Sequence, residues 1–422
     1  MKTALSIWWD GEIAGTLALD EDGNMSFAYS KAWLADHARP ALSHSLPKRA
    51  ESFDRSHTRP FFAGLLPEEA QKEGAARALG LSKGNDFALL DALGGDLAGA
   101  LTLWPEGDKP PIYDGTTARE TLGDNALADI LARLPKQPLL AGDDGIRVSL
   151  AGAQPKLPIV LVDGGIALPA PGQPSTHILK PATEKLDYAT ENEAFAMRLA
   201  SAIGLRVAPV EPRRVADKTF LLVTRYDREQ VKDSRYRRLH QEDFCQALSI
   251  APEKKYAKKE GPTFKTSFKL VRDACPRPAP EVLKLLDAAL YNLTIGNADA
   301  HGKNYSLLYK KSGAELAPLY DLMCTAAYPH VATNLAMMFG EARTLEEVRA
   351  KTWPKFAEEA GLGGAFVRRR AGELADMIAG KARPVASGIA DQGFNGKELQ
   401  RLADLVVGRA ERVAASVKEP AA

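Results

Sequence analysis

Gly296-Asn297-Ala298-Asp299-Ala300-His301-Gly302-Lys303-Asn304, followed by Pro318-Leu319-Tyr320-Asp321, is the stretch that decides how the rest of the sequence is read. An Asp with an Asn five residues further on has the spacing of a protein-kinase catalytic loop. There the carboxylate orients the attacking hydroxyl and accepts its proton, and the amide holds a magnesium ion. Kinases place a second metal-binding Asp after a short hairpin, and Asp321 stands in that place. Strands around 305–309 and 316–320, turning at Lys311-Ser312-Gly313, would return Asp321 beside Asn304. A carboxylate and an amide oxygen, completed by phosphate oxygens and waters, suit Mg2+. The competing reading makes Asn297, Asp299 and Asn304 ordinary turn residues after a helix, where Asn and Asp are common. With Asp299 available as proton acceptor, His301 is assigned to ordering the loop or contacting phosphate.

Toward the N-terminus, Ser149-Leu150-Ala151-Gly152-Ala153-Gln154-Pro155-Lys156 lies between expected strands, ahead of His177-Ile178-Leu179-Lys180. Small residues let backbone N–H groups approach phosphates closely. The stretch is neither a Walker A motif nor a multi-glycine kinase loop, so its place before a strand lysine carries the reading. Lys180 would reach the α/β-phosphates, with Glu193 as first choice of carboxylate partner and Glu191 as second. The alternative is a solvated strand-end lysine, which Pro181 would suit. Leu221-Leu222-Val223-Thr224-Arg225-Tyr226-Asp227 closes the last strand before a helical region, where a kinase hinge meets adenine or where any strand simply ends.

The surrounding pattern is mixed. Residues 1–30 read as two strands joined at Asp20-Glu21-Asp22-Gly23, and 67–79, 86–93 and 117–134 as helices. A loop at 105–111 is followed by strands at 157–162, 166–168 and 177–180, a helix at 188–203, and strands at 206–211 and 219–224. Beyond 240 the chain reads almost only as helix, including 281–295 and at least three segments within 341–418. Separated runs of strands and helices give an α+β architecture.

The 55 Lys+Arg against 54 Asp+Glu leave a net charge of +1, which excludes a protein whose main work is coating nucleic acid or an anionic membrane. The length of 422 residues, 45% of them hydrophobic, implies two or three cores. Three separated cysteines make no zinc site or disulfide framework, and neither a signal segment nor a membrane span is evident, so a cytoplasmic protein is expected. Lys254-Lys255-Tyr256-Ala257-Lys258-Lys259 reads as a solvated loop and Arg368-Arg369-Arg370 as an exposed helix face.

Taken together and in order, these motifs make the chain similar to the HipA family, the serine/threonine kinase toxins of bacterial toxin–antitoxin modules. The resemblance runs the whole length: Trp33-Leu34, Arg39-Pro40, Leu42-Ser43, Ser45-Leu46-Pro47, Phe61-Phe62, Leu65-Leu66-Pro67, Val148 through Gln154, Thr176 through Lys180, Arg225-Tyr226-Asp227-Arg228, Gln241 through Gln246, Asp299 through Asn304, and Tyr320-Asp321. It implies a two-lobed protein-kinase-like (HipA/PI3K-like) fold. The divisions are a β-rich N-terminal subdomain at 1–110, an ATP-binding small lobe at 111–228 and an all-helical C-terminal lobe at 229–422.

The resemblance also implies Asp299 as catalytic base, Mg2+ on Asn304 and Asp321, and Lys180 on the ATP phosphates with Glu193 as its ion-pair partner. Ala151, Gly152, Ala153, Gln154, Pro155 and Lys156 would form the phosphate loop. Thr224, Arg225 and Tyr226 would meet adenine, and His301, Lys303 and Tyr320 would lie near the nucleotide. The family phosphorylates a Ser or Thr of a translation component, glutamyl-tRNA synthetase being the known class of aminoacyl-tRNA synthetase target, and so causes growth arrest and persistence. Its partner is HipB, a small helix-turn-helix antitoxin that binds operator DNA. Ser149 matches the autophosphorylated position. Pro155 departs from the family, where Glu is frequent, and removes one N–H from the loop. Two other readings stand beside this one: a non-catalytic scaffold that co-represses with its antitoxin, and a small-molecule kinase, which would not need the N-terminal region.

Overall fold

The computed structural model describes residues 3–113, 115, 120–143, 145–231 and 235–419. They fall into two compact units. The first comprises Met1–Pro181, Arg213–Glu253 and Leu308–Lys310, and the second Ala182–Pro212, Lys254–Leu307 and Lys311–Ala422. Of the helix expected at 117–134, residues 117–119 lie outside the described set, and the helix observed is Asp124–Arg133.

The first unit contains an antiparallel sheet in the order Met25–Tyr29, Glu12–Leu19, Ala4–Trp9, Thr102–Pro105. Residues 1–30 therefore hold three strands rather than the two expected. The missed turn is Asp10-Gly11, with φ of 50° and 81°. Asp-Gly accepts the paired left-handed conformations of a two-residue hairpin turn with little strain. Leu5, Ile7, Leu17 and Phe27 point into a core shared with Trp33, Phe53, Phe61 and Phe62.

A five-stranded sheet has the order Gly165–Ala167, Leu157–Val162, His177–Pro181, Lys218–Thr224, Val210–Val215. Leu179 pairs with Leu157 on one side and Leu222 on the other. These side chains pack with Leu127, Ile130 and Leu131 of helix Asp124–Arg133. Successive strand side chains alternate, so burying Leu179 here sends Lys180 to the opposite face. The strand expected at 206–211 begins only at Val210. In the second unit, residues 206–208 pair with the chain leading to Asp321, through Leu319 N to Arg206 O (2.8 Å) and Ala208 N to Leu319 O (2.9 Å).

The second unit holds the helices Ala189–Ala202, Phe264–Ala274, Pro278–Ile295, Thr352–Ala360, Gly364–Ala390 and Gly396–Ser416. An all-helical C-terminal lobe is corrected by the hairpin Asn334–Phe339 with Ala342–Thr344 and by the strand Gly313–Leu316. The apolar run before Gly340 is too short for a helix of this core, and its last side chain does the packing. Phe339 stacks on Phe356 at 3.6 Å and meets Trp353 edge-on at 5.3 Å. Lys255 is buried rather than solvated, and its carbonyl accepts Gly302 N (3.4 Å).

Glu242 and His240, two residues apart on strand His240–Asp243 of the first unit, are both buried. Glu242 accepts from Ser43 Oγ, His44 N and the Tyr309 hydroxyl, and burial pushes its carboxyl up to about 7, with Asp243 adding repulsion. His240 packs on Trp9, with ring centroids 4.4 Å apart, and burial pushes it down to about 4, against the pull of Asp227. The signs oppose. A carboxyl raised in the fold contributes stability that is present at low pH and lost as pH rises from about 4.5 to 7. An imidazole lowered in the fold contributes stability lost as pH falls from about 6.5 to 4. Each is on the order of 3 kcal/mol, so they nearly cancel where they overlap. Glu242→Gln is therefore expected to unmask the histidine. Urea midpoints of the variant, compared with wild type at pH 5 and pH 6.5, should gain a rise with pH; an unchanged difference would refute the opposition.

Candidate functional site

The loop at 149–156 in the first unit is latched at both ends. Ser149 N donates to Asp96 O (3.0 Å), Ser149 Oγ to Leu65 O (2.7 Å), and Glu68 N to Gly152 O (3.1 Å). Ser149 is fully buried, and residues 151–156 are half-buried. Gly152 has φ of +118°, and a Cβ there would lie 2.4 Å from Lys156 Nζ. That ammonium folds back to donate to Ala151 O (2.7 Å), and the positive φ at position 152 is what favours glycine in this curl. Lys180 is buried on the face opposite the hydrophobic core, which corrects the solvated strand-end alternative.

Thr224 and Tyr226 are half-buried at the end of strand Lys218–Thr224, and the Tyr226 hydroxyl bonds Gln241. The Arg225 side chain is committed within the unit. Its N–H donates to Thr176 O (2.9 Å), and its guanidinium grips Asp227 through Nε (2.9 Å) and Nη2 (2.7 Å). Nη1 reaches Ser175 Oγ (2.9 Å). Arg228 and Arg238 each donate to Asp96 Oδ1 at 3.0 Å, and Ser175 Oγ donates to Asp96 Oδ2 at 2.6 Å. The Arg225 side chain is thus structural, leaving only its carbonyl for a ligand. The three arginines hold the buried Asp96 carboxyl well below the usual range, while burial lowers Arg228 to about 10. Sequence reading missed Asp96, although the Arg225-Tyr226-Asp227-Arg228 motif signals half of the cluster.

In the second unit, helix Pro278–Ile295 ends at Gly296, whose φ of +78° reverses the chain. Asn297 N bonds Asn292 O and Asn297 Nδ2 bonds Asn292 Oδ1, both at 2.8 Å. Asn297 Oδ1 then accepts Asp299 N (3.2 Å), and Thr325 Oγ1 accepts Ala298 N (2.8 Å). Asp299 is exposed at the apex of this braced turn. Its carbonyl accepts His301 N (2.8 Å) and Asn304 Nδ2 (3.3 Å), which ties the two ends of the motif together. The buried His301 ring lies edge-on to Tyr256 at 5.4 Å. The Tyr320 hydroxyl donates to Lys303 O (2.6 Å) and lies 2.7 Å from Ser306 Oγ, bringing the segment before Asp321 onto the loop. Asp321 itself has φ of +58°, in the left-handed region, which Asp enters more readily than most residues other than glycine. Glu191 and Glu193 are both buried on helix Ala189–Ala202.

Among the described residues, no group of three or more His, Cys, Asp or Glu side chains could hold a metal ion. A cation here would rest on few protein oxygens. Asn304 and Asp321 supply hard oxygen donors, and the bond from Asn304 Nδ2 to the Asp299 carbonyl fixes the amide's orientation. That donor set fits Mg2+, which keeps waters and takes phosphate oxygens.

Two family models match the sequence: the HipA N-terminal domain at 5–104 and the HipA-like C-terminal domain at 148–384. The chain is 54% identical over 390 residues to Y4mE of Sinorhizobium fredii, a kinase by designation, covering 92% of this chain and 93% of that one. It is 34% identical over 317 residues to the serine/threonine-protein kinase toxin HipA of Shewanella oneidensis, covering 72% and 71%. The solved complex of Shewanella oneidensis HipA, HipB and operator DNA contains a chain that superposes with a TM-score of 0.85 at 28% identity, covering 99% of both chains. Among the described residues, no helix is long and apolar enough to cross a membrane.

Proposed function

The chain belongs to the HipA family, and from that premise we propose that it is a toxin-type protein serine/threonine kinase using ATP and Mg2+. The observation that carries the reading is the turn that presents Asp299, braced by Asn297 and Thr325 and joined to Asn304 through the Asp299 carbonyl. The Asp299 carboxylate takes the proton of the attacking Ser or Thr hydroxyl. The hydroxyl oxygen bonds the γ-phosphorus, the bond to the β-phosphate oxygen breaks, and ADP leaves. Asn304 and Asp321 would hold the ion, which when bound would neutralise phosphate charge. Lys180 contacts the phosphates, with Glu193 as the carboxylate that orients it. N–H groups of the loop 151–156 complete the cradle, with Pro155 contributing none; Thr224 and Tyr226 border adenine, and His301 and Lys303 approach the phosphates.

The substrate is an aminoacyl-tRNA synthetase, of which the glutamyl enzyme is the first to test, and the partner is a HipB-like antitoxin. Operator DNA is reached mainly through that antitoxin. Two of the three consecutive arginines are committed internally, Arg368 to Val417 O (2.8 Å) and Arg370 to both Asp287 carboxylate oxygens (2.7 Å). Purified chain, γ-labelled ATP and the cognate glutamyl-tRNA synthetase should give one labelled Ser or Thr. Label on another protein after induction in cells would reassign the substrate, and growth arrest that survives Asp299→Ala would favour the scaffold.

Autophosphorylation of Ser149 would act as an off-switch. A phosphate on Oγ replaces the donor to Leu65 O with acceptor oxygens in a fully buried position, so the curl must leave its latch. Ser149→Asp is expected to weaken ATP binding at least ~10-fold, about 1.4 kcal/mol, by calorimetry. Unchanged binding would reject the switch.

A further inference from the structure

Asn192 lies between Glu191 and Glu193 on helix Ala189–Ala202, and its side chain is 1% exposed. It neither faces solvent nor bonds its own helix. Its Oδ1 accepts Cys324 N (2.8 Å) and its Nδ2 donates to Cys324 O (3.0 Å). One amide thus closes on both backbone groups of a single residue, as a neighbouring strand would. The second hydrogen of Nδ2 reaches the Tyr328 hydroxyl (3.1 Å). Cys324 stands three residues after Asp321 and immediately before Thr325, the residue that braces the Asp299 turn through Ala298 N and Gly296 O. On the far side, the Tyr291 hydroxyl of helix Pro278–Ile295 donates to Ala196 O (2.5 Å), so the helix carrying Asn192 is itself anchored to the helix that leads into the turn.

We propose that Asn192 is a positioning residue for the nucleotide site: its amide locks the segment 321–325 to helix Ala189–Ala202, and so holds the left-handed Asp321 in its metal-binding orientation. This rests on the kinase reading above for its consequence, but not for the clamp itself. The positive φ at Asp321 is a less common backbone conformation, which contacts on either side help to fix. On the C-terminal side, Asn192 fixes both backbone groups of Cys324; on the N-terminal side, the Tyr320 hydroxyl is held by Lys303 O. A shift of that helix would move Asp321 and Thr325 together, coupling the metal ligand to the base.

The test compares Asn192→Ala with Met197→Ala, a buried apolar change in the same helix that removes no amide, and therefore a control for general destabilisation. Hydrogen exchange in the full chain without nucleotide should show at least ~10-fold faster exchange at the Cys324 amide in Asn192→Ala, and not in Met197→Ala. With saturating ATP, the Mg2+ concentration giving half-maximal phosphoryl transfer should rise at least ~10-fold in Asn192→Ala, with a smaller change in the KM for ATP. Unchanged Cys324 exchange, or an equal Mg2+ shift in Met197→Ala, overturns the proposal. A wild-type chain with no transfer at any Mg2+ concentration rejects the kinase reading instead, and the exchange comparison still decides whether the clamp exists.

Discussion

Asp299→Ala is expected to lower phosphoryl transfer by about 10³-fold while leaving the protein folded and the nucleotide bound. The size follows from the role proposed for Asp299, a general base, whose loss typically forfeits two to four orders of magnitude. The specificity follows from how the turn is built. Its braces are made by the Asp299 backbone: the N–H held by Asn297 Oδ1, the carbonyl accepting His301 N and Asn304 Nδ2. Alanine keeps these backbone bonds, and the residue is exposed, so little packing is lost. A melting temperature within about 2 °C of wild type and a KM for ATP within about twofold should accompany the loss in kcat. Asp299→Asn, which keeps the shape but cannot accept the proton, should be nearly as slow. Full activity in either variant would move the base elsewhere in the turn.

The spacing of this turn was legible because it is local. Asp299 and Asn304 sit five residues apart in a motif whose types and order are visible in a string. Helices Asp86–Leu93 and Ala189–Ala202 were legible for similar reasons: apolar stretches end at Gly94 and Gly204. What escaped were relations carried by tertiary contacts. Leu319 pairs with residues 206–208, more than a hundred positions earlier, and this removes the start of an expected strand. Phe339 draws a hairpin into a core otherwise formed by helices. The end of its strand marks Arg225 in the sequence, but not that its charge is answered by Asp227 and by Asp96. No periodicity marks Asp96 as a buried anion; it becomes one only when three distant arginines converge on it.

That convergence sets the second large effect. Asp96→Ala is expected to destabilise the protein by about 3–5 kcal/mol, because it leaves the buried Arg225 and Arg228 to share one carboxylate, Asp227, and removes the carboxylate that Arg238 bonds. The loss is not the worth of the ion pairs. It is mainly the penalty of leaving guanidinium groups in a dry site without an anion. Asp96→Asn should fall between wild type and alanine, since the amide keeps acceptor capacity for Arg228 and Ser175 but no charge. The pH dependence gives an independent check. A carboxyl held low in the fold contributes stability above its unfolded value near 3.8 and loses it as pH falls through the folded one. The difference in urea midpoint between wild type and Asp96→Ala should therefore be largest near neutrality and shrink below about pH 4. The effect should also reach the loop, because Asp96 bonds Arg147 O through its N–H and Ser149 N through its carbonyl while its side chain anchors Arg228. Alanine keeps those two backbone bonds but loses the side-chain anchor, so ATP binding should weaken more than in a variant equally destabilised in the Phe27 core. Equal weakening in the two would mean that the network stabilises the unit without placing the loop.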